Sequence, residues 1–251
     1  MLLELHNLTV GFDGFVAVDH VNFSVENGEK RVIIGQNGAG KTTIIDMITG
    51  KTKPTEGEIL LNGVNIAGKE PYEISDRYNI GRKFQGPNVF DDMTVYENLE
   101  TALCGYSSII SSFLYRRTKK IKNYLDTILE EINLVEQKNI RPCFLSHGQK
   151  QWLEIGMVLV QDPKIITLDE PAAGMTDSET FKTGEMIKTI MKDKTMIVVE
   201  HDMDFIKQIA EKVTVLNQGK VLAEGTYDEV SHNQAVVKAY LKYDDKEGDG
   251  Q

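Results

Sequence analysis

Gly35-Gln36-Asn37-Gly38-Ala39-Gly40-Lys41-Thr42 fits the pattern G-x-x-x-x-G-K-[ST], a set of residue types suited to holding a phosphate chain. Glycines at these positions let consecutive backbone N–H groups converge on one anion, and a helix starting where the loop ends adds its positive dipole. Lys41 brings a point charge for the β- and γ-phosphates, Thr42 a hydroxyl for Mg2+, and Thr43 extends the same cradle. Such a site also needs carboxylates, to complete the metal shell and to activate water. Ile165-Ile166-Thr167-Leu168-Asp169-Glu170 delivers a pair at the end of an apolar run, where open α/β sheets bind ligands. Asp169 is expected to orient Mg2+. Glu170, on the opposite face of the same strand, is expected to polarise the attacking water. Alone, an Asp-Glu pair at a strand end is more often a solvated turn, and it is the phosphate loop in the same chain that gives this one a function.

These groups can meet only if the flanking segments fold around them. Arg31 to Ile34 is a short β-branched run ending at Gly35, and Val21, Phe23 and Val25 alternate with polar residues before Asn27-Gly28, which predicts strands. Lys41 to Thr49 carries Ile44, Ile45 and Ile48 at helical spacing, with Gly50 as the stop. Between about 86 and 160 the pattern becomes helical. Lys119 to Val135 places Ile121, Leu125, Ile128, Ile132 and Val135 on one stripe, and Trp152, Ile155 and Leu159 share another. Beyond Lys164, continuous apolar runs at 165–168 and 196–199 flank a helical pattern from Ser178 to Met191. Alternation of this kind predicts an α/β fold with a mostly parallel core sheet. Residues 244–251 read as a frayed acidic tail.

Composition bounds the partners. The 251 residues are 26% charged and 41% hydrophobic, an ordinary globular balance, and the formal net charge of −10 opposes broad contact with nucleic acid. Cys104 and Cys143 have no CxxC spacing, which argues against zinc or a disulfide framework and fits a reducing compartment. The longest apolar-looking tract, Tyr106 to Tyr115, is broken by serines and closed by Arg116-Arg117, so it does not read as a membrane span. The basic cluster Arg116-Arg117-Lys119-Lys120 reads as a solvated helix start, and His6, His20 and His232 as ordinary surface or strand residues.

Between the two phosphate motifs stands Leu145-Ser146-His147-Gly148-Gln149, similar to the L-S-G-G-Q signature of ATP-binding cassette (ABC) transporters. The chain resembles the nucleotide-binding subunit of that family over residues 1–243. The resemblance implies a single cassette with an N-terminal antiparallel β subdomain and an inserted helical subdomain at about 86–160. It implies ATP and Mg2+ as cofactors. Gln85 resembles the Q-loop, a catalytic and metal-contacting position, and His201 after Val198-Val199-Glu200 resembles the switch histidine. Phe12 stands where the family stacks an aromatic on adenine, with Phe15 as the second choice. Ser146, Gly148 and Gln149 would contact the phosphate of the opposite subunit in an ATP-sandwiched dimer. His147 departs from the usual glycine. In Ala173-Gly174-Met175-Thr176-Asp177 either Thr176 or Asp177 fills the D-loop role.

The family implies an ATPase at the cytoplasmic side of the inner membrane, driving two permease subunits, paired with itself or a sister ATPase, and fed indirectly by a solute-binding protein. Gly86 to Met93, with Phe90 and Met93, would help form the permease groove. Nucleic acid is not expected as a partner. A soluble non-transport ABC ATPase would need tandem cassettes or a coiled-coil insertion, and a GTPase would need an N-K-x-D motif, which Asn217-Gln218-Gly219-Lys220 does not match. Within the family, residues 146–156 and 174–177 resemble most closely the urea branch of the branched-chain amino acid and urea importers. Urea is therefore the expected cargo, with branched-chain amino acids as the alternative.

Overall fold

The computed structural model describes residues 1–83, 88–104 and 118–239. Strands β1 (Leu3–Phe12), β2 (Phe15–Val25), β4 (Glu56–Leu61) and β5 (Val64–Asn65) form an antiparallel sheet in the order β2-β1-β4-β5. A second sheet has the order β10-β9-β3-β8-β7-β6, built from β3 (Lys30–Gly35), β6 (Ile80–Lys83), β7 (Ile165–Asp169), β8 (Thr195–Val199), β9 (Lys212–Asn217) and β10 (Lys220–Gly225). Its pairs are parallel except for the β9–β10 hairpin.

The hairpins are written in local chemistry. Asp13-Gly14, Asn62-Gly63 and Gln218-Gly219 each hold positive φ at both central residues, the two-residue turn whose twist matches its strands. The continuous apolar runs are explained by burial on both faces. Ile33, Ile165, Ile197 and Val199 face the antiparallel sheet and helix α1 (Lys41–Ile48), while Val32, Ile34, Ile166, Leu168 and Val198 face the other helices. Arg31, fully buried, ties the two sheets: it pairs with Glu29 and Glu224, donates 2.7 Å to Thr214 Oγ1, and reaches Ser24 O on β2.

After the short α2 (Pro71–Asp76), helices α3 (Val95–Cys104), α4 (Lys119–Glu131) and α5 (His147–Leu159) occupy the segment expected to be helical. They share a core of Leu99, Leu125, Leu129, Ile132 and Ile155. Gly156 permits that approach, since a Cβ there would lie 2.6 Å from Ile132 Cδ1. The expected stripe overruns its helix. Helix α4 ends at Glu131, Asn133 takes φ 56°, and Val135 is thereby turned out to 51% exposure. Helices α6 (Asp177–Ile190), α7 (Met203–Ile209) and α8 (Tyr227–Ser231) complete the fold. Trp152 is core, as expected, and its Nε1 donates 2.8 Å to Thr183 Oγ1 of α6. Lys119 and Lys120 are exposed at the start of α4, and His6, His20 and His232 are exposed as well. The tract 106–115, Arg116-Arg117 and the tail 244–251 lie outside the described residues.

Candidate functional site

The loop from Gly35 to Gly40 joins β3 to α1 and is seated against neighbouring backbone. A Cβ on Gly35 would stand 2.5 Å from Leu216 O, and one on Gly40, at φ 98°, would stand 2.6 Å from Ala17 O. Gly38 also requires positive φ, at 79°. Gln36 and Ala39 close the turn through a 3.0 Å N–H···O bond, and Ala39 is buried. Asn37 is exposed, and Gln36 donates its Nε2 to Ala239 O at 2.9 Å. Gly40 caps α1 without a side chain, so no carboxylate or hydroxyl competes for the first-turn N–H groups that would face a phosphate.

Lys41 is buried and curls over this loop, donating to Gly35 O at 2.7 Å and Gln36 O at 3.0 Å. Burial lowers its pKa, against the opposing fields of Glu170 and Asp169. Thr42 Oγ1 lies 3.5 Å from Asp169 Oδ1, so the loop's hydroxyl and the end of β7 meet. Thr43 sits beside it, half-buried. Asp169 is 1% exposed, and its Oδ2 has no hydrogen-bond partner among the described residues. Burial pushes its pKa up, Arg82 opposes this, and Glu170 adds to it. A buried carboxylate oxygen left open beside a threonine hydroxyl suits a hard cation. Among the described residues no group of three or more His, Cys, Asp or Glu could hold a metal.

Glu170 is positioned differently from the expectation. Strand β7 ends at Asp169, and Glu170 takes φ 46°, its N–H donating 2.9 Å to Val199 O. A left-handed residue after the strand, rather than strand alternation, sets the direction of this carboxylate. His201 follows β8 with Nδ1 at 3.8 Å from Glu170 Oε1 and 3.7 Å from Glu200 Oε2. Gln85 lies outside the described residues. Phe12 and Phe15 face one another across the β1–β2 turn and are 49% and 64% exposed.

Ser146 is the N-cap of α5, in a reciprocal capping box: it accepts from Gln149 N–H at 3.2 Å, while Gln149 Oε1 accepts from Ser146 N–H at 3.0 Å. Its hydroxyl also donates to Glu179 Oε1 at 3.1 Å, and Glu179 Oε2 accepts from Thr176 N–H and Oγ1 at 3.1 and 3.0 Å. Those hydrogen bonds, Thr176's first, lower the pKa of Glu179. His147, the departure from the glycine pair, has Nε2 3.0 Å from Ala173 O. A Cβ on Gly148 would stand 2.8 Å from Glu179 Oε1. The signature turn is thus joined to the loop after Glu170 through the Ala173 carbonyl and to α6 through Glu179, with Thr176 capping that helix and Asp177 opening it. Glu179 is a residue that sequence reasoning overlooked, although the T-x-x-E spacing from Thr176 announces a capping box.

Tyr72, Asn88, Phe90, Ala102, Glu154 and Met157 line a surface cavity of about 540 Å³. Phe90 belongs to it, while Gly86 and Pro87 of the segment expected to help form the permease groove lie outside the described residues. Met93 does not belong to it, and instead takes a 3.6 Å contact from Thr101 Oγ1. Buried Lys83 and Glu154 form an ion pair at 3.4 Å on its floor. No helix among the described residues is long and apolar enough to cross a membrane.

Residues 18–173 match the family model of ABC transporters, and residues 220–241 match that of the branched-chain amino acid ATP-binding cassette transporter. The high-affinity branched-chain amino acid transport ATP-binding protein BraF of Pseudomonas aeruginosa is 37% identical, the match covering 96% of this chain and 97% of that protein. LivG of Escherichia coli K12, with the same description, is 36% identical at the same coverage. Among solved structures, the ATP-binding cassette MJ1267 superposes with TM-score 0.84 at 32% identity, covering 95% of this chain and 98% of its own. The dimeric post-hydrolysis cassette MJ0796, bound to ADP and Pi, superposes with TM-score 0.76 at 26% identity, over 90% and 98%. With the phosphate loop, the paired carboxylates and the signature turn assembled on this α/β fold, the chain belongs to the ABC transporter family, as its ATP-binding and ATP-hydrolysing component.

Proposed function

We propose that this chain powers the import of branched-chain amino acids through partner permeases. The observation that carries the substrate is the match of residues 220–241 to the branched-chain cassette model, alongside relatives named for that transport. Urea, which residues 146–156 and 174–177 favoured, has no support among these comparisons, and the alternative held beside it takes its place. The soluble, non-transport alternative loses ground for the same reason.

In this reading the loop N–H groups and Lys41 hold the ATP phosphates, and Phe12 stacks on adenine. Thr42, Asp169 and Gln85 would hold Mg2+, which would offset the charge of the phosphates. Glu170 takes the proton of the attacking water, with His201 and Gln85 beside the γ-phosphate. Ser146, Gly148 and Gln149 cap the γ-phosphate bound by a second ATPase subunit, itself or a sister chain. ATP then binds the closed pair better than the open one, which turns hydrolysis into movement. The groove holding Phe90 receives a permease segment, which puts this chain peripherally at the cytoplasmic face of the membrane, with a solute-binding protein acting on the permeases from outside.

The test is deletion of the gene in its host, followed by uptake of labelled leucine and labelled urea at low concentration. Loss of leucine uptake is expected. Loss of urea uptake with leucine uptake intact would return the assignment to the urea branch.

A further inference from the structure

Glu200 is a carboxylate that the catalytic reading leaves unused, and it is 1% exposed at the end of β8. Both of its oxygens are occupied by backbone donors. Oε1 accepts from Ala172 N–H at 3.0 Å, and Oε2 accepts from His201 N–H at 2.8 Å and Asp202 N–H at 3.4 Å. Its own N–H faces Ile33 O at 3.4 Å, on the strand that leads into the phosphate loop. A carboxyl group is tolerated in such a place only when donors replace its water shell, and three backbone N–H groups do so here. With neither oxygen open to a water molecule, Glu200 is not itself a base.

What those donors belong to gives Glu200 its meaning. Ala172 lies in the turn that follows Glu170, whose carbonyl accepts Ala173 N–H at 3.2 Å. His201 and Asp202 begin the segment leading into α7, and Asp202 caps that helix through Phe205 N–H at 2.9 Å. One buried side chain therefore clamps the loop carrying the water-activating carboxylate to the loop carrying the switch histidine. We infer that Glu200 is a positioning residue for ATP hydrolysis, setting His201 against Glu170 by holding the backbone of both loops. The inference rests on Glu170 and His201 acting in hydrolysis.

Glu200→Gln keeps the shape but replaces one oxygen by an amide that points a donor at a donor, releasing one loop. Glu200→Asp keeps the charge and withdraws it by a methylene. The purified full-length chain would be assayed for ATP affinity by equilibrium titration and for hydrolysis at saturating ATP. Each variant is expected to bind ATP within about twofold of wild type and to turn over about tenfold more slowly or worse, the scale of a misplaced catalytic group. In a His201→Ala background, measured by single turnover, Glu200→Gln should cost less than about twofold more, because the geometry it sets is already lost. A full additional loss in that background, an equal loss of ATP affinity, wild-type turnover in Glu200→Gln, or failure of both variants to fold would overturn the proposal. Wild-type turnover in His201→Ala alone would instead overturn the reading of the site, and the proposal with it.

Discussion

His201 and Glu170 face each other across 3.8 Å, from His201 Nδ1 to Glu170 Oε1, although one follows β8 and the other follows β7. The parallel pairing of those strands, Asp169 opposite Val199, is what puts their C-terminal ends side by side. Removing the charge of Glu170 by Glu170→Gln leaves the phosphate loop, Lys41 and Asp169 in place. Hydrolysis should fall by about 10²–10⁴-fold, the range for loss of a general base, with ATP affinity retained. Steady-state phosphate release checks this, and turnover within a few-fold of wild type would assign water activation elsewhere.

Lys41→Ala should differ in kind. The ammonium at the centre of the loop is expected to contribute about 1.5–3 kcal/mol to phosphate binding, as hydrogen bonds to charged groups do. Equilibrium titration should find ATP affinity reduced by roughly one to two orders of magnitude. Unchanged affinity would dismiss the phosphate site.

Ser146 supplies a test of sharing between subunits. Where gel filtration and light scattering establish a homodimer, Lys41→Ala and Ser146→Arg chains, each impaired alone, should recover activity on mixing. The mixed dimer carries one site with both defects and one with neither. Additive inactivity would mean that the signature serves its own chain's nucleotide.

Asp169 gives a pH-dependent outcome. Its folded pKa is raised by burial, so the ionised form costs stability above the folded value, and that cost disappears as pH falls to the unfolded value of about 3.9. Asp169→Asn should therefore raise the Tm of the nucleotide-free protein at neutral pH, with the gap closing as pH falls through that window. Calorimetry across pH 4 to 8 would check it. A gap that widened toward acid would contradict a raised pKa.

The contiguous parts of this protein were legible in its sequence, because their conformations depend on neighbours in the chain. The phosphate loop carries its own glycines, and its context of strand and helix is declared by β-branched residues before Gly35 and by Ile44, Ile45 and Ile48 after it. The parallel sheet was foreshadowed by apolar runs with no polar face. The Asp-Gly and Asn-Gly turns at 13–14 and 62–63 were missed, although their positive φ follows from residue type. Tertiary structure alone decided the rest. Val135 continues a helical stripe, but periodicity does not say where the chain leaves the helix, and Asn133 turns it outward. Glu170 owes its direction to a left-handed residue held by Val199 O, a partner on another strand. The bonds of Glu200 to Ala172 and of Ser146 to Glu179 join segments far apart in sequence. Local patterning specifies which face is buried and which turns are allowed. Which buried carboxylate receives which backbone N–H is settled only once packing of the sheet and helices has brought the loops together.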